Sequence, residues 1–501
     1  MKKQFAEMTF VKFIVALLCP FIICLLYCGI RKISFFNLYI PNSYNNDVLF
    51  YYKQVEGIVC GGIPKGYFGY NESHALIGSF ATWNPLLFIP WILFGLVFGV
   101  GDMSLIVCNI VVFSLALAFF VLLVNPKWKS IITIIVLFML FPSFSIHLMN
   151  GLVETTIAAL LLLYWGFAIR YSTQNLNRYI TGMFVISFLL TSCRPFMVVL
   201  TLLPAFYLIR KKHVFGTIIS LLLVGGSVTS YFAFNRFFAS PYFGGDLLNF
   251  NIVTLLLHGR FKEAYDAVFP ILRELYHVLK EAFIYGLTAG AQYVVAIVAS
   301  LGIFLSLFKK GSKEKLPYKI TYLLTVAGIL VATVIIGNKV NEGGRHLWAF
   351  AILGIVLISV NESKMISYIF SATLVLILAV MIARGAMVPT DYDIPAANPV
   401  LSESIEKLKA DFADNNVKST GQLSWDNTII WAVDVSHYEL YSLPSGFGIN
   451  LCLKNYIINN FDNLHAKYLA VVKDGDLDEM CKEKNYTVVA FSDKTIVYSI
   501  R

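Results

Sequence analysis

Asp47 is the first residue in this chain whose type and place suggest chemistry. It follows Asn46, a good helix N-cap type, and the pattern predicts a helix from there to about Gly57. A carboxylate in a first helical turn feels the positive end of the helix, which favours its ionised form. Just outside a membrane, such a group can act as a general base or bind a cation. The plainer reading is an Asp that only steadies its helix. Tyr51 and Gln54 share its helix face at i+4 and i+7. The run from Gly61 to Tyr70 is rich in Gly and Tyr, which lets backbone approach a ligand closely or simply twists a surface loop. Glu72 and His74 add titratable groups nearby, and Trp83-Asn84-Pro85 closes the stretch.

Further ionisable residues stand at the ends of apolar runs: Glu154, Arg194, Arg236, Arg345 and His346. Charge at membrane depth is costly, so each is a functional candidate by default. Guanidinium pairs bidentately with phosphate oxygens, so the arginines suit a lipid phosphate. Snorkelling to the headgroups is the competing account. For Glu154 a structural hydrogen bond competes with a catalytic role. His74 and His346 are more often structural than catalytic types.

The elements that must position these groups follow from composition. Hydrophobic residues are 58% of the 501, charged residues 14%, and mean hydropathy is +0.71. Soluble domains run at about 45–50% apolar and about 25% charged. The chain reads as a polytopic membrane protein, which excludes a soluble enzyme on one anchor, a disordered chain and a disulfide scaffold. Residues 385–501 hold 16 Asp+Glu and 10 Lys+Arg, a net of −6, which leaves +15 on 1–384. The boundary near 385 separates a basic membrane domain (1–384) from an acidic tail domain (385–501). Basic membrane loops explain the positive total, so nucleic acid is not implied.

Apolar runs near 11–30, 103–124, 131–149, 151–169, 179–193, 195–209, 214–236, 284–307, 318–337, 346–360 and 364–384 approach the roughly 20 residues that a helical span needs. The first, after Lys2, Lys3 and Lys12, reads as a signal anchor that stays. Arg210-Lys211-Lys212, Lys309-Lys310 and Lys127-Lys129 should be cytoplasmic, as should the N-terminus. These demands agree if Pro85–Val100 is re-entrant or interfacial on the outer side. The fold class is then all-α, with about 11 spans and a long first outer loop (about 31–102). A second outer segment (about 237–283) is amphipathic from Phe261 to Phe283. The tail domain is extracytoplasmic and α/β. A helix is expected over Leu401–Phe412, strands at Thr428–Val433 and Tyr468–Val472, a helix over Leu477–Lys484, and a hairpin of Thr487–Phe491 with Thr495–Ile500.

This pattern resembles the GT-C glycosyltransferases of the ArnT, protein O-mannosyltransferase and oligosaccharyltransferase kind. The carriers are an acid soon after the first span (Asp47), a Tyr-rich helix (Tyr51, Tyr52), a Pro-containing apolar segment closing the first loop (Trp83–Pro90) and an Arg heading a later span (Arg345). The resemblance implies a polyprenyl-phosphate sugar donor, with transfer on the outer face to a hydroxyl of a glycan, lipid or protein acceptor. Asp47 would be the general base, and Glu72 a second acid. Arg345, Arg194 and Arg236 would hold the donor phosphate. Tyr51, Tyr70, His74, Glu154 and His346 would line the substrate. A divalent cation (Mg or Mn) on Asp47 is left open. Many members carry two adjacent acids where this chain has Asn46-Asp47, and no WWDYG-like motif appears in the tail. A bacterial plasma membrane fits the scattered cysteines and the lack of a eukaryotic sorting signal. Competing readings are a lipid-linked glycan polymerase, a transporter or flippase, and a scaffold displaying the tail domain. The chain shows no internal repeat of the kind transporters carry.

Overall fold

The structure, a computed structural model, describes residues 2–38, 46–61, 68–70, 84–101, 103–238, 251–285, 288–309, 314–335, 340–360, 364–384, 429–435, 448–464 and 467–500. Helix α1 (Lys2–Arg31) is followed by α2 (Asn46–Gly61), strand β1 (Phe68–Tyr70) and α3 (Ile89–Phe98), which is entered through a 3-10 turn at Pro85–Phe88. Next come α4 (Ser104–Val124), α5 (Trp128–Met139), α6 (Pro142–Leu148), α7 (Glu154–Gln174) and α8 (Asn177–Cys193). A 3-10 stretch, Pro195–Thr201, leads into α9 (Leu202–Arg210), and α10 (Val214–Phe237) follows. Then come α11 (Asn251–Leu257), α12 (Phe261–Tyr285), α13 (Thr288–Leu305), α14 (Leu316–Ile335), α15 (Val340–Val360) and α16 (Lys364–Ala383).

The chain is a multi-pass membrane protein. Among the described residues six helices are long and apolar enough to cross a bilayer, or seven if the bent pair α5–α6 is one span. Pro195–Arg210, Leu316–Ala332 and Gly344–Val360 are shorter apolar helices at places where the sequence leads one to expect spans, as is Pro85–Phe98 in the segment read as re-entrant. The stretch 131–149, expected as one span, is two helices bent by 80°. Pro142 is the cause. It begins α6, and Phe141 before it is forced out of helical geometry (φ −107°, ψ 89°). The helix expected to end near Gly57 runs on to Gly61. Near the start of α1, the Lys12 ammonium donates to Asn125 Oδ1 (3.0 Å) and to the Pro126 carbonyl (2.8 Å), just past the C-terminus of α4. A cation there complements the helix dipole.

The small sheet is built from two distant parts of the chain. β1 is joined by β2 (Ile429–Ala432), β3 (Gly448–Leu451), β4 (Tyr468–Val472), β5 (Thr487–Phe491) and β6 (Thr495–Ser499) in the order β1-β3-β2-β4-β6-β5. β1, β3, β2 and β4 run parallel, and β6 and β5 close the sheet antiparallel. Alternation sorts its side chains. Tyr468, Ala470 and Val497 join the main core shared with the bundle, while Leu469, Val471 and Tyr498 face the helices α17 (Lys454–Asn460) and α18 (Asp476–Glu483). The expected β2, β4, α18 and closing hairpin are present within two residues. β1, β3 and α17 were not expected, and 401–412 lies outside the described residues. Because β1 hydrogen-bonds to β3, the first loop and the tail domain lie on the same side of the membrane.

Helix α15 carries Arg345 and is set tightly against its neighbours. A Cβ at Gly354 would lie 2.5 Å from Tyr322 Oη and 2.6 Å from Ala299 Cβ, and Tyr322 is fixed there by its bond to the Phe350 carbonyl (3.1 Å). Gly354→Val should therefore cost about 1–3 kcal/mol by overpacking. Gly328→Ala, with open space around its Cβ, should be neutral or stabilise by about 0.5–1 kcal/mol. Thermal unfolding of both variants in detergent checks the pair.

Candidate active site

Five residues predicted from the sequence meet at one end of the bundle. Asp47 stands in the first turn of α2, Glu154 begins α7, Arg194 follows α8, and Arg345 and His346 lie near the start of α15. Arg345 Nη1 donates to Asp47 Oδ2 at 2.6 Å, and its Nε lies 4.0 Å from Glu154 Oε1. Arg194 Nη2 donates to the same Glu154 oxygen at 2.8 Å, and His346 Nδ1 is 3.4 Å from it. Arg194 Nη1 also donates to His346 Nδ1. The same ring nitrogen therefore faces both the Arg194 guanidinium and the Glu154 carboxylate.

Burial divides the cluster into an inner and an outer layer. The side chains of Glu154 and Arg194 are each 2% exposed, Arg345 is 15% exposed, and Asp47 is 40% exposed. Glu154 begins its helix and Arg194 ends one, the dipole positions that suit their signs. Two carboxylates face two guanidiniums, so the inner pair compensates its own charge. Arg345 then links it to the carboxylate at the rim. An added anion must compete with Asp47 for Arg345.

Aromatic packing fixes the floor under Asp47. Tyr51, one turn along α2, is buried, with its ring 5.2 Å from Phe88 and 6.4 Å from Trp91. Trp91 Nε1 in turn donates to Asn109 Oδ1 at 2.7 Å. Burial, and secondarily the Asp47 charge, pushes the Tyr51 hydroxyl well above the usual phenol range, so it stays neutral. Tyr51 was expected to line the substrate, where stacking on a sugar needs an open ring face. Its ring is instead enclosed, and it supports Asp47 from below.

The remaining predicted residues sit apart. Arg236 is exposed at the end of α10, and among the described residues no ion pair joins it to the cluster. Tyr70 has its backbone in β1, paired with Leu451. Glu72 and His74 lie outside the described residues.

A second polar network was not foreseen. Gln292 Nε2 donates to Ser143 Oγ (2.8 Å) and contacts His147 Nε2 (3.2 Å). Trp348 Nε1 donates to the Ser143 carbonyl (3.0 Å), and the His147 ring stacks on Trp348 at 5.0 Å. This network ties α15, two residues beyond His346, to the bent segment α6, and Thr155 on α7 donates to the His147 carbonyl (3.0 Å). The available signal was the presence of Ser143, His147 and Gln292 inside otherwise apolar runs.

No three of His, Cys, Asp and Glu converge among the described residues. Both carboxylates of the cluster carry arginine partners. The described donor set is therefore a poor match for a divalent cation, which prefers several free oxygens.

No protein-family model matches the sequence, and no curated protein matches it. Among solved structures the fold is similar to ArnT from Cupriavidus metallidurans bound to undecaprenyl phosphate (11% identity over 95% of this chain and 97% of that one, TM-score 0.41). It is also similar to the archaeal oligosaccharyltransferase AglB from Archaeoglobus fulgidus in complex with an inhibitory peptide and a dolichol-phosphate (12% identity, 91% and 69% covered, TM-score 0.49). The apo form of the Archaeoglobus fulgidus oligosaccharyltransferase gives 12% identity, 91% and 69% covered and a TM-score of 0.46. At such identities, and with TM-scores below 0.5, function must be argued from the side chains.

Removing one partner of the buried pair leaves the other charge uncompensated. Glu154→Gln should cost about 3–5 kcal/mol of stability. Adding Arg194→Met should recover part of that loss, because the orphaned guanidinium is gone. A thermal double-mutant cycle in detergent measures the coupling.

Proposed function

We propose that this chain is a membrane glycosyltransferase that moves a sugar from a polyprenyl-phosphate donor to an acceptor hydroxyl. The observation that carries the reading is the direct contact of a half-exposed first-loop carboxylate, Asp47, with an arginine at the head of a later helix, Arg345. One group takes protons and the other takes phosphate, which are the two needs of this reaction.

In the proposed step, Asp47 accepts the proton of the acceptor hydroxyl as that oxygen bonds to the anomeric carbon. The bond from that carbon to the phosphate oxygen breaks, and the departing prenyl phosphate keeps the electron pair. Positive charge gathers on the sugar in an oxocarbenium-like transition state. Arg345 stabilises the charge growing on the phosphate. Arg194 is too deeply buried to share the phosphate at the rim and acts through Glu154 and His346. The acceptor approaches from the side opposite the phosphate, so Asp47 and Arg345 must part for the sugar to sit between them.

Membrane orientation supports an outer-face site. Arg210, Lys211 and Lys212 lie where α9 gives way to α10, and α10 then runs to the end where Ser230 bonds Ser192 (2.7 Å), two residues from Arg194. Lys309 follows the far end of α13. The basic clusters thus lie at span ends opposite the site, and positive charge marks the cytoplasmic side. The first loop and tail domain are then extracytoplasmic, and the N-terminus cytoplasmic. The sheet, fastened to the loop that carries Asp47, is the natural place for a glycan, lipid or protein acceptor to be guided.

The test is release of labelled sugar from a panel of polyprenyl-phosphate hexoses in nanodiscs. Asp47→Asn should abolish release while keeping donor binding, with a loss of about 100-fold or more expected for a removed base. Arg345→Ala should lose donor binding. Release is measured with and without EDTA, and a loss in EDTA would add a divalent cation on Asp47 once its ion pair with Arg345 has opened. If both variants match an active wild type, the assigned roles are wrong. If folded wild type releases no sugar from any donor in the panel, the transferase reading fails for those donors.

A further inference from the structure

Helix α12 has three faces, and the third has no partner among the described residues. Ala264, Val278 and Ala282 are buried against α11 and the bundle. Asp266, Arg273, His277 and Glu281 form an exposed polar arc. Between these faces runs a stripe of Phe261, Tyr265, Phe269, Leu272, Tyr276 and Phe283, every one exposed, from 37% to 68%. The spacing of four, four, three, four and seven keeps all six within one narrow sector of the helix. The stripe is about 33 Å long at 1.5 Å per residue.

We propose that α12 is seated in the headgroup layer of the leaflet on the site's side, with this stripe turned into the bilayer. Its position fixes the occupant. Arg384, just beyond the end of α16, donates Nη1 to the Phe283 carbonyl at 3.4 Å, so the C-terminal end of α12 is level with the end of a membrane-spanning helix. Near the start of α13, a Cβ at Gly290 would meet the Val278 carbonyl oxygen at 2.5 Å, which sets the two helices in close contact at the same level. α12 touches α13, α14, α15 and α16, so it is held against the bundle along four helices rather than standing away from it.

Composition agrees with that seat. Five of the six stripe residues are aromatic, the class that gathers at membrane–water boundaries. The helix carries Lys262, Arg273 and Lys280 against Glu263, Asp266, Glu274 and Glu281, a net of −1. Seven charges preclude a span, and the near-neutral total makes the attraction apolar rather than electrostatic. The inference is independent of the transfer chemistry.

The test uses the full chain in nanodiscs of phosphatidylcholine with phosphatidylglycerol. The photoreactive residue p-benzoylphenylalanine replaces Phe269 or Tyr276 on the stripe, and Arg273 or Glu281 on the polar arc. After irradiation, intact-mass spectrometry should find lipid adducts severalfold more often at 269 and 276 than at 273 and 281. The yield should hold in high salt and without phosphatidylglycerol. Equal yields on the two faces, or a strong salt dependence, would overturn the proposal. Cross-linked dimers from the stripe positions would replace the bilayer with a second copy as the occupant.

Discussion

Two carboxylates and two guanidiniums placed beside a membrane constrain the packing around this site. A buried charge is tolerated only if it is paired and hydrogen-bonded. While Glu154 Oε2 has no hydrogen-bond partner among the described residues, Glu154 and Arg194 compensate each other's charge through Oε1 at 2.8 Å. To do so, the start of α7 and the end of α8 must stay side by side. Arg345 is held between this pair and Asp47, which brings α15 and α2 to the same point. Four elements separated by long stretches of sequence thus converge on one charge balance.

The surrounding structure secures that convergence. The bend at Pro142 lets α6 place Ser143 and His147 against Gln292 and Trp348, so α15 is anchored just past Arg345 and His346. Glycine at 354 lets α15 approach α13 and α14 closely enough to keep this register. Below Asp47, Tyr51, Phe88 and Trp91 form a packed aromatic floor. The result is a rigid inner layer under an outer layer of one carboxylate and one arginine. That division suits a site whose outer ion pair must open to admit a sugar while its inner pair stays closed.

The sheet contributes a different constraint. β1 comes from the first outer loop, and the other strands come from the tail. The tail domain is therefore fastened to the loop that also carries α2 and Asp47. One sheet face joins the bundle's core, and the other is covered by α17 and α18. The tail is thus packed against the membrane domain, not displayed at a distance from it.

Local sequence determined much of this protein. Apolar runs specified a membrane bundle because a span needs length and hydrophobicity and little else. Alternation marked β4 and the closing hairpin, and charges at the ends of apolar runs singled out Asp47, Glu154, Arg194, Arg345 and His346 because such charges are costly. Only the tertiary structure decided their pairing. Asp47 and Arg345 are 298 residues apart, and nothing local states that one carboxylate meets Arg345 while the other is enclosed with Arg194. The same holds for β1, whose three residues become a strand only because β3 supplies the hydrogen-bonding edge, and for Tyr51, whose type suits a sugar platform but whose neighbours enclose it. Residue type sets what a side chain can do, whereas exposure and partners, which set what it does, come from segments far away in the chain.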